Sequence, residues 1–336
     1  MKKAIVGITM GDAAGIGPEV IIKALNIPSI YEECCPIVIG DAKILEGFKV
    51  QGSRLKVNSV REVEEAKGEF GTIDCIDLAN IDLAQLKIGQ VNELAGKSAI
   101  EYIKKAVNLA QNNKIQAITT APISKEAINK AGFHFAGHTD FLAYLTHIRQ
   151  YAMMFVSSPL KVVLVSIHIP LYKAVRGLSK KKVFTTIKLT NHALKDYFGI
   201  EKPKIGVAGL NPHAGEAGLF GREEEKEIAP AIEVAQRKGI DAVGPYPPDT
   251  IFCRAVKGEF DVVVAMYHDQ GLIPLKLLAF DEAVNVTVGL PIIRTSPDHG
   301  TAFDIAGKNQ ANPQSMIEAI KLAIEMVKGR NSIRTP

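Results

Sequence analysis

The chain has 336 residues, 47% of them hydrophobic and 23% charged, with a formal net charge of +4. These values fit an ordinary globular protein long enough for two domains, and the absence of any long Lys/Arg block argues against a nucleic-acid or anionic-membrane partner. No run approaches the ~20 apolar residues of a membrane span, the N-terminal apolar run meets Gly11–Asp12 too soon for a signal peptide, and the four cysteines (Cys34, Cys35, Cys75 and Cys253) lack C-x-x-C spacing, so a reducing, cytoplasmic setting is expected.

In chain order the pattern is strand, Gly-rich turn and helix, repeated. Ala4–Thr9 is apolar and β-prone, residues 11–19 (GDAAGIGPE) form a loop, and Pro18 suits the first turn of a helix running to about Leu25. Pro36–Ile39 and Ile73–Asp77 read as strands, Asn92–Asn112 carries apolar residues at helical spacing, and Ala117–Thr120 is a buried strand ended by Ala121–Pro122. Ser124 can cap a helix through about Ala131, residues 132–140 (GFHFAGHTD) read as a polar and aromatic loop, and a helix is expected from Asp140 to Leu145. Met153–Val156 and Lys161–Ile167 look like neighbouring strands joined by the turn Ser157–Pro159. An amphipathic helix is expected over Lys181–Phe198, a strand over Lys204–Leu210 and a helix over Glu223–Arg237, with Gly239–Pro248 as a connector. Val262–Met266 and Ala283–Val288 are apolar strands, and Ser315–Lys328 is a closing helix. Apolar runs without alternation, separated by helices, predict an α/β protein with mainly parallel sheets covered on both faces. Two domains with a cleft between them are expected, residues 1–122 with 290–336 and residues 123–289.

Three histidines stand just past apolar runs: His168, His213 (beside Asn211 and Glu216) and His268 (beside Asp269). Ligands of open α/β sheets bind outside the carboxyl ends of strands. Neutral imidazoles suit zinc, cobalt, nickel or iron, and three leave positions open for substrate or water. A lone strand-end histidine is more often structural; spacing alone leaves the joint metal reading at even odds. Gly137–His138–Thr139–Asp140 offers either a helix cap or an imidazole and hydroxyl for a hydroxy acid. Lys276, Asn285 and Arg294 lie at the ends of successive apolar runs, where Arg and Lys suit a phosphate or carboxylate, although each alone reads as a surface charge. The small, polar stretch His299–Pro313 could wrap a nucleotide or be a plain surface loop. The turn Gly11–Gly17 lacks the G-x-G-x-x-G order of a dinucleotide fingerprint.

Taken together, GDAAGIGPE (11–19), GHTD (137–140), His168, NPHAGE (211–216), AMYHDQG (265–271) and VNVTVGLPIIRTSPDHGTAFDIAG (284–307) resemble the 4-hydroxythreonine-4-phosphate dehydrogenase (PdxA-like) family over essentially the whole chain. The last segment also resembles the nucleotide loop of isopropylmalate and isocitrate dehydrogenases. The resemblance implies that fold, an NAD- or NADP-dependent dehydrogenase and a homodimer with an active site shared between subunits. It implies a divalent metal (zinc, magnesium, cobalt or manganese) on His168, His213 and His268, in the second domain with the dimer interface. It implies substrate contacts from His138, Thr139, Lys276, Asn285 and Arg294, the last and Lys276 on a phosphate. It places the cofactor on the loop holding Gly300, Asp304 and Gly307, with Asp304 at the adenosine ribose, although Phe303 stands where the isopropylmalate-type enzymes have Pro. Candidate proton acceptors are His138 and Asp249. Ala13, where the pyridoxine-pathway enzymes have Pro, and Asp281–Glu282–Ala283, where they have Gly-Arg-Gly, resemble the relatives that oxidise 4-phospho-D-threonate or 4-phospho-D-erythronate. The expected reaction is oxidation of a C3 hydroxyl and decarboxylation to dihydroxyacetone phosphate. The alternatives are the hydroxythreonine phosphate reaction and, from another class, a metallohydrolase.

Overall fold

The computed structural model describes residues 3–48 and 50–334. The chain divides into two compact units, residues 1–149 with 290–327 and residues 150–289 with 328–336. Met1, Lys2, Thr335 and Pro336, at the ends of the expected first domain, lie outside the described residues.

The first unit carries β1 (Ala4–Thr9), α1 (Gly17–Leu25), α2 (Pro28–Glu33), β2 (Cys34–Gly40), α3 (Ala42–Gly47), β3 (Lys56–Val60), β4 (Thr72–Asp77), α4 (Glu93–Gln111), β5 (Ala117–Thr120), α5 (Lys125–Lys130) and α6 (His138–Leu145). The second carries β6 (Ala152–Val156), β7 (Lys161–Leu164), α7 (Leu171–Arg176), α8 (Lys180–Phe198), β8 (Ile205–Ala208), α9 (Ala229–Arg237), β9 (Ala242–Tyr246), α10 (Pro248–Val256), β10 (Val262–Ala265), α11 (His268–Leu278) and β11 (Val284–Val288). The chain then returns to the first unit with β12 (Ile293–Pro297) and closes with α12 (Gln314–Arg334).

Strands of the first unit run in the order β3-β4-β2-β1-β5-β12, all parallel. Those of the second run β11-β6-β7-β10-β8-β9, with antiparallel pairs only at β11/β6 and β6/β7. The reversal between β6 and β7 is the tight turn anticipated at Ser157–Pro159, closed by Ser157 N to Leu160 O at 3.0 Å. Central strands such as β5 and β10 are buried at every residue, which is why they lack a polar alternation. Ser124 caps α5 by accepting from Ala127 N, Ser179 caps α8, and Gly199 ends α8 in the left-handed conformation.

Several elements differ from expectation, each for a physical reason. Residues 123–149, expected with the second domain, belong to the first unit. α5 lies so close on α4 that a Cβ at Gly96 would stand 2.4 Å from the Ala127 backbone. Edge strands β3 and β9 are half exposed, so they show no apolar run, and β9 with the start of α10 replaces the expected connector. α11 was hidden by Gly271 and Pro274, poor helix residues by propensity. Packing overrides that: a Cβ at Gly271 would meet Val162 Cγ1 at 2.5 Å and Leu164 Cδ2 at 2.9 Å, so glycine lets α11 sit directly on β7. The expected Glu223–Arg237 helix opens with a π-helical turn, Glu224–Ile228.

Candidate active site

In the first unit the candidate side chains gather near the carboxyl ends of β1 and β5, which Arg294 reaches from the start of β12. Arg294, on β12, is 3% exposed, and its Nε and Nη2 donate to Thr120 Oγ1 at 3.2 and 2.7 Å. Burial lowers its pKa to about 9. His138 is the first residue of α6, two residues earlier than the sequence suggests. Burial, and secondarily the Arg294 charge, hold its pKa well below the ordinary histidine value, so the ring is neutral near pH 7. Its Nε2 is sealed from solvent and meets no hydrogen-bond partner among the described residues. Thr139 follows, buried in the first turn of α6.

Asp12 joins this region from the turn after β1. It is fully buried; Oδ1 accepts from Ala14 N at 2.9 Å, while Oδ2 meets no partner at full hydrogen-bonding geometry among the described residues. Desolvation raises its pKa to about 6 against the lowering pull of the Ala14 and Ser124 backbone donors. Gly11 makes the turn possible, with a φ of 72° and no room for a Cβ, which would lie 2.3 Å from Pro122 O. Sequence reasoning passes over Asp12; its one signal is an acid set between Gly11 and two alanines directly after a buried strand. The loop 299–313 leans on the same turn, through Ile16 N to Thr301 O at 3.0 Å. Gly300, Asp304 and Gly307 on this loop are exposed.

In the second unit the rings of His168 and His268 have centroids 5.7 Å apart. His268 is the first residue of α11, and its Nδ1 lies 2.7 Å from Asp269 Oδ1. A carboxylate accepting from Nδ1–H leaves Nε2 as the free lone pair, the usual arrangement of a ligating histidine. His213 stands elsewhere, exposed, with Nδ1 3.4 Å from Glu216 Oε2 and its ring 5.8 Å from Phe220. Among the described residues no three His, Cys, Asp or Glu side chains form a metal-ligand group. The rings of His168 and His268 are thus neighbours, and among the described residues His213 does not complete a three-ligand group with them.

His213 sits in a left-handed turn: His213, Ala214, Gly215, Glu216 and Ala217 have φ between 42° and 83°. Each non-glycine residue there costs roughly 1–2 kcal/mol. Buried Glu224, in the π-helical turn, holds the loop open-handed: its Oε1 accepts from Leu210 N and Asn211 N, both at 2.7 Å, and its Oε2 accepts from Asn211 Nδ2 at 2.9 Å. Residues in such sparsely populated regions persist where surroundings over-determine them, and they gather at functional sites.

Asn285, on β11, is 9% exposed and its Oδ1 has no partner among the described residues. Lys276, on α11, is half-buried with Nζ 5.1 Å from the Phe280 ring. Asp249 is exposed in the first turn of α10.

At the level of fold alone, the chain is similar to a β-decarboxylating dehydrogenase from Thermococcus kodakarensis, at 14% identity and a TM-score of 0.51 over 99% of this chain and 89% of that one. This is the isocitrate/isopropylmalate dehydrogenase-like scaffold anticipated from the sequence. The chain belongs to the family described as pyridoxal phosphate biosynthetic protein PdxA, whose model matches residues 32–323. It is 50% identical over 328 residues to the D-threonate 4-phosphate dehydrogenase of Cupriavidus necator, covering 97% of this chain and 98% of that protein. It is equally 50% identical to a 4-hydroxythreonine-4-phosphate dehydrogenase from Burkholderia phymatum, with a TM-score of 0.87 over 97% of this chain and 99% of that structure. The chain is an oxidoreductase acting on a CH–OH group, and the hydrolase alternative falls away.

Proposed function

We propose that the protein is a metal-dependent, NAD- or NADP-linked dehydrogenase of a 4-phosphorylated four-carbon hydroxy acid, oxidising C3 and releasing carbon dioxide to give dihydroxyacetone phosphate. The observation that carries the reading is the buried pair of Arg294 and neutral His138. A guanidinium sunk beside an imidazole whose Nε2 has no protein partner suits a ligand that brings both an anion and a hydroxyl. Arg294 and Lys276 hold the phosphate, remote from the reacting carbon, where binding energy serves orientation. Asn285 Oδ1 accepts from a substrate hydroxyl and Thr139 contacts the same ligand. His138, neutral at working pH, receives the C3 hydroxyl proton, with exposed Asp249 the weaker candidate.

His168, His213 and His268 would hold the divalent metal, and a donor set of imidazoles suits zinc or cobalt better than magnesium or manganese. When bound, the metal supplies Lewis acidity to the substrate oxygen and the nicotinamide accepts the hydride. The exposed loop holding Gly300, Asp304 and Gly307 takes the nucleotide, with Asp304 toward the ribose. A second copy supplies one of the three ligands, a reading supported by the neighbouring rings of His168 and His268 and by the absence of a three-ligand group among the described residues. Exposed apolar side chains on the histidine-bearing segments and the elements beside them, Leu171, Tyr172, Leu219, Phe220, Leu277 and Phe280, favour a homodimer.

Identity at 50% to both a threonate-type and a hydroxythreonine-type enzyme leaves the substrate to chemistry. Ala13 and Asp281–Glu282–Ala283 favour the 2-hydroxy acids, 4-phospho-D-threonate or 4-phospho-D-erythronate, over 4-phosphohydroxythreonine. The test is NAD+ and NADP+ reduction with each of the three substrates across several divalent metals. Turnover of 4-phosphohydroxythreonine alone would overturn the substrate choice. Turnover unaffected by chelation, and restored by no metal, would overturn the metal. Mixing His213→Ala with His268→Ala tests the shared site. Heterodimers recover about half of the wild-type activity if the two ligands come from different subunits; no recovery refutes that arrangement.

A further inference from the structure

Beneath the loop 299–313 lies a second set of charged residues with no place in the chemistry above. Glu19, on α1, has a side chain only 2% exposed, and Lys23, one helical turn on, is 18% exposed. Glu19 Oε1 accepts from Lys23 Nζ at 2.9 Å and from Ala311 N at 2.8 Å. Lys23 Nζ also donates to Asn309 O at 3.1 Å and Ala311 O at 2.8 Å. All three ammonium protons are thus accounted for, two of them by the loop. The same loop is fixed further back by Ile16 N to Thr301 O at 3.0 Å, and a Cβ at Gly89 would meet Phe303 O at 2.9 Å.

An ion pair buried this deeply is a weak source of stability, because desolvating both charges offsets their attraction. What it does well is hold one backbone arrangement against others. Here that backbone is the strand-to-helix loop between β12 and α12, gripped at 301 and at 309–311 with the exposed Asp304 and Gly307 between. We propose that Glu19 and Lys23 are positioning residues that clamp the 299–313 loop in the shape that receives the nicotinamide nucleotide. The inference rests on the reading of that loop as the nucleotide segment. The clamp removes in advance the ordering cost that the nucleotide would otherwise meet.

The test variant is Glu19→Met/Lys23→Met, which removes both charges and so leaves no uncompensated buried ion. The nucleotide Kd and KM are expected to rise about tenfold, with kcat and the substrate KM within about twofold of wild type. Amide exchange within 299–313 is expected to speed up. Lys23→Arg, which keeps the charge and donors, is expected to stay near wild type. Should the double variant not fold, Glu19→Gln/Lys23→Gln, which also carries no charge but keeps hydrogen-bonding groups, decides by the same readouts with a smaller effect. A folded variant that binds nucleotide as tightly as wild type overturns the clamp alone. Wild-type protein that binds neither NAD+ nor NADP+ overturns the nucleotide reading and the clamp with it.

Discussion

Arg294 gives the sharpest test, because stability and activity should move in opposite directions. Its guanidinium is 3% exposed, and burial brings its pKa to about 9. At ~1.4 kcal/mol per pH unit, the gap from the ordinary arginine value corresponds to about 5 kcal/mol against holding the charge in the folded protein. The sign follows from the direction: the folded state binds this proton more weakly, so the cost is present at all pH below about 9 and eases only above it. Arg294→Met keeps the length and removes the charge. It leaves Thr120 Oγ1 without its donor, at about 1 kcal/mol. The net expectation is a gain of a few kcal/mol, read as a Tm raised by several degrees in ligand-free protein at pH 7.5. Meanwhile kcat/KM for the phosphorylated substrate should fall by at least 100-fold, the loss of charge-assisted hydrogen bonds worth about 3 kcal/mol. Thermal unfolding with and without inorganic phosphate, alongside steady-state kinetics, measures both. A variant that is less stable than wild type yet retains turnover would refute the reasoning, showing the guanidinium to be a structural strut.

Other expectations follow from the same geometry. Asp12, raised to about 6 by burial, carries its ionisation cost fully above pH 6 and loses it as pH falls through the ordinary carboxylate range. Asp12→Asn should therefore gain up to about 3 kcal/mol over wild type at pH 8 and nothing at pH 4 in denaturant titrations; an equal effect at both would refute the burial argument. His138 is held neutral in the fold, so wild type should lose stability as pH drops below the ordinary histidine value, with His138→Gln flattening that limb by up to ~1.4 kcal/mol per pH unit. Gly271→Ala should cost about 1–3 kcal/mol, because the new methyl meets Val162 and Leu164 on β7 and α11 must lift. A wild-type Tm in that variant would show that the helix has slack.

How much of this was legible in the sequence depends on where each element sits. Buried parallel strands announce themselves: β1 and β10 are apolar at consecutive positions because both faces are covered. The capped helix α5 does as well, through Ser124, whereas the Asn92 and Ser179 caps of α4 and α8 emerge only in the structure. Edge strands β3 and β9 carry no such signal, since half of each faces solvent. α11 was illegible for the opposite reason: Gly271 weakens the helix locally, and the contact that requires it lies about a hundred residues away in β7. Similarly, nothing near residue 122 tells the chain to stay in the first unit through Arg149; the close approach of α5 to Gly96 does.

The site was legible as a set of residue types and illegible as an arrangement. Histidines after apolar runs could be picked out, yet no spacing indicates that His168 and His268 lie within 5.7 Å while His213 stands away on a left-handed turn. That turn explains the motif NPHAGE better than ligation alone does. His213, Ala214, Glu216 and Ala217 all take a conformation that disfavours L-residues, and Glu224, eleven residues on from His213, accepts hydrogen bonds from the backbone of Leu210 and Asn211 where the turn begins. A chain that needed His213 only for its own core would have no use for such strain. On the proposed shared site, an exposed imidazole on a turn already fixed would meet a second copy without further ordering, and that would give the strain a purpose. If His213 is a ligand as proposed, Glu224, which bonds the backbone at the start of the turn, is expected to act as a positioning residue for it.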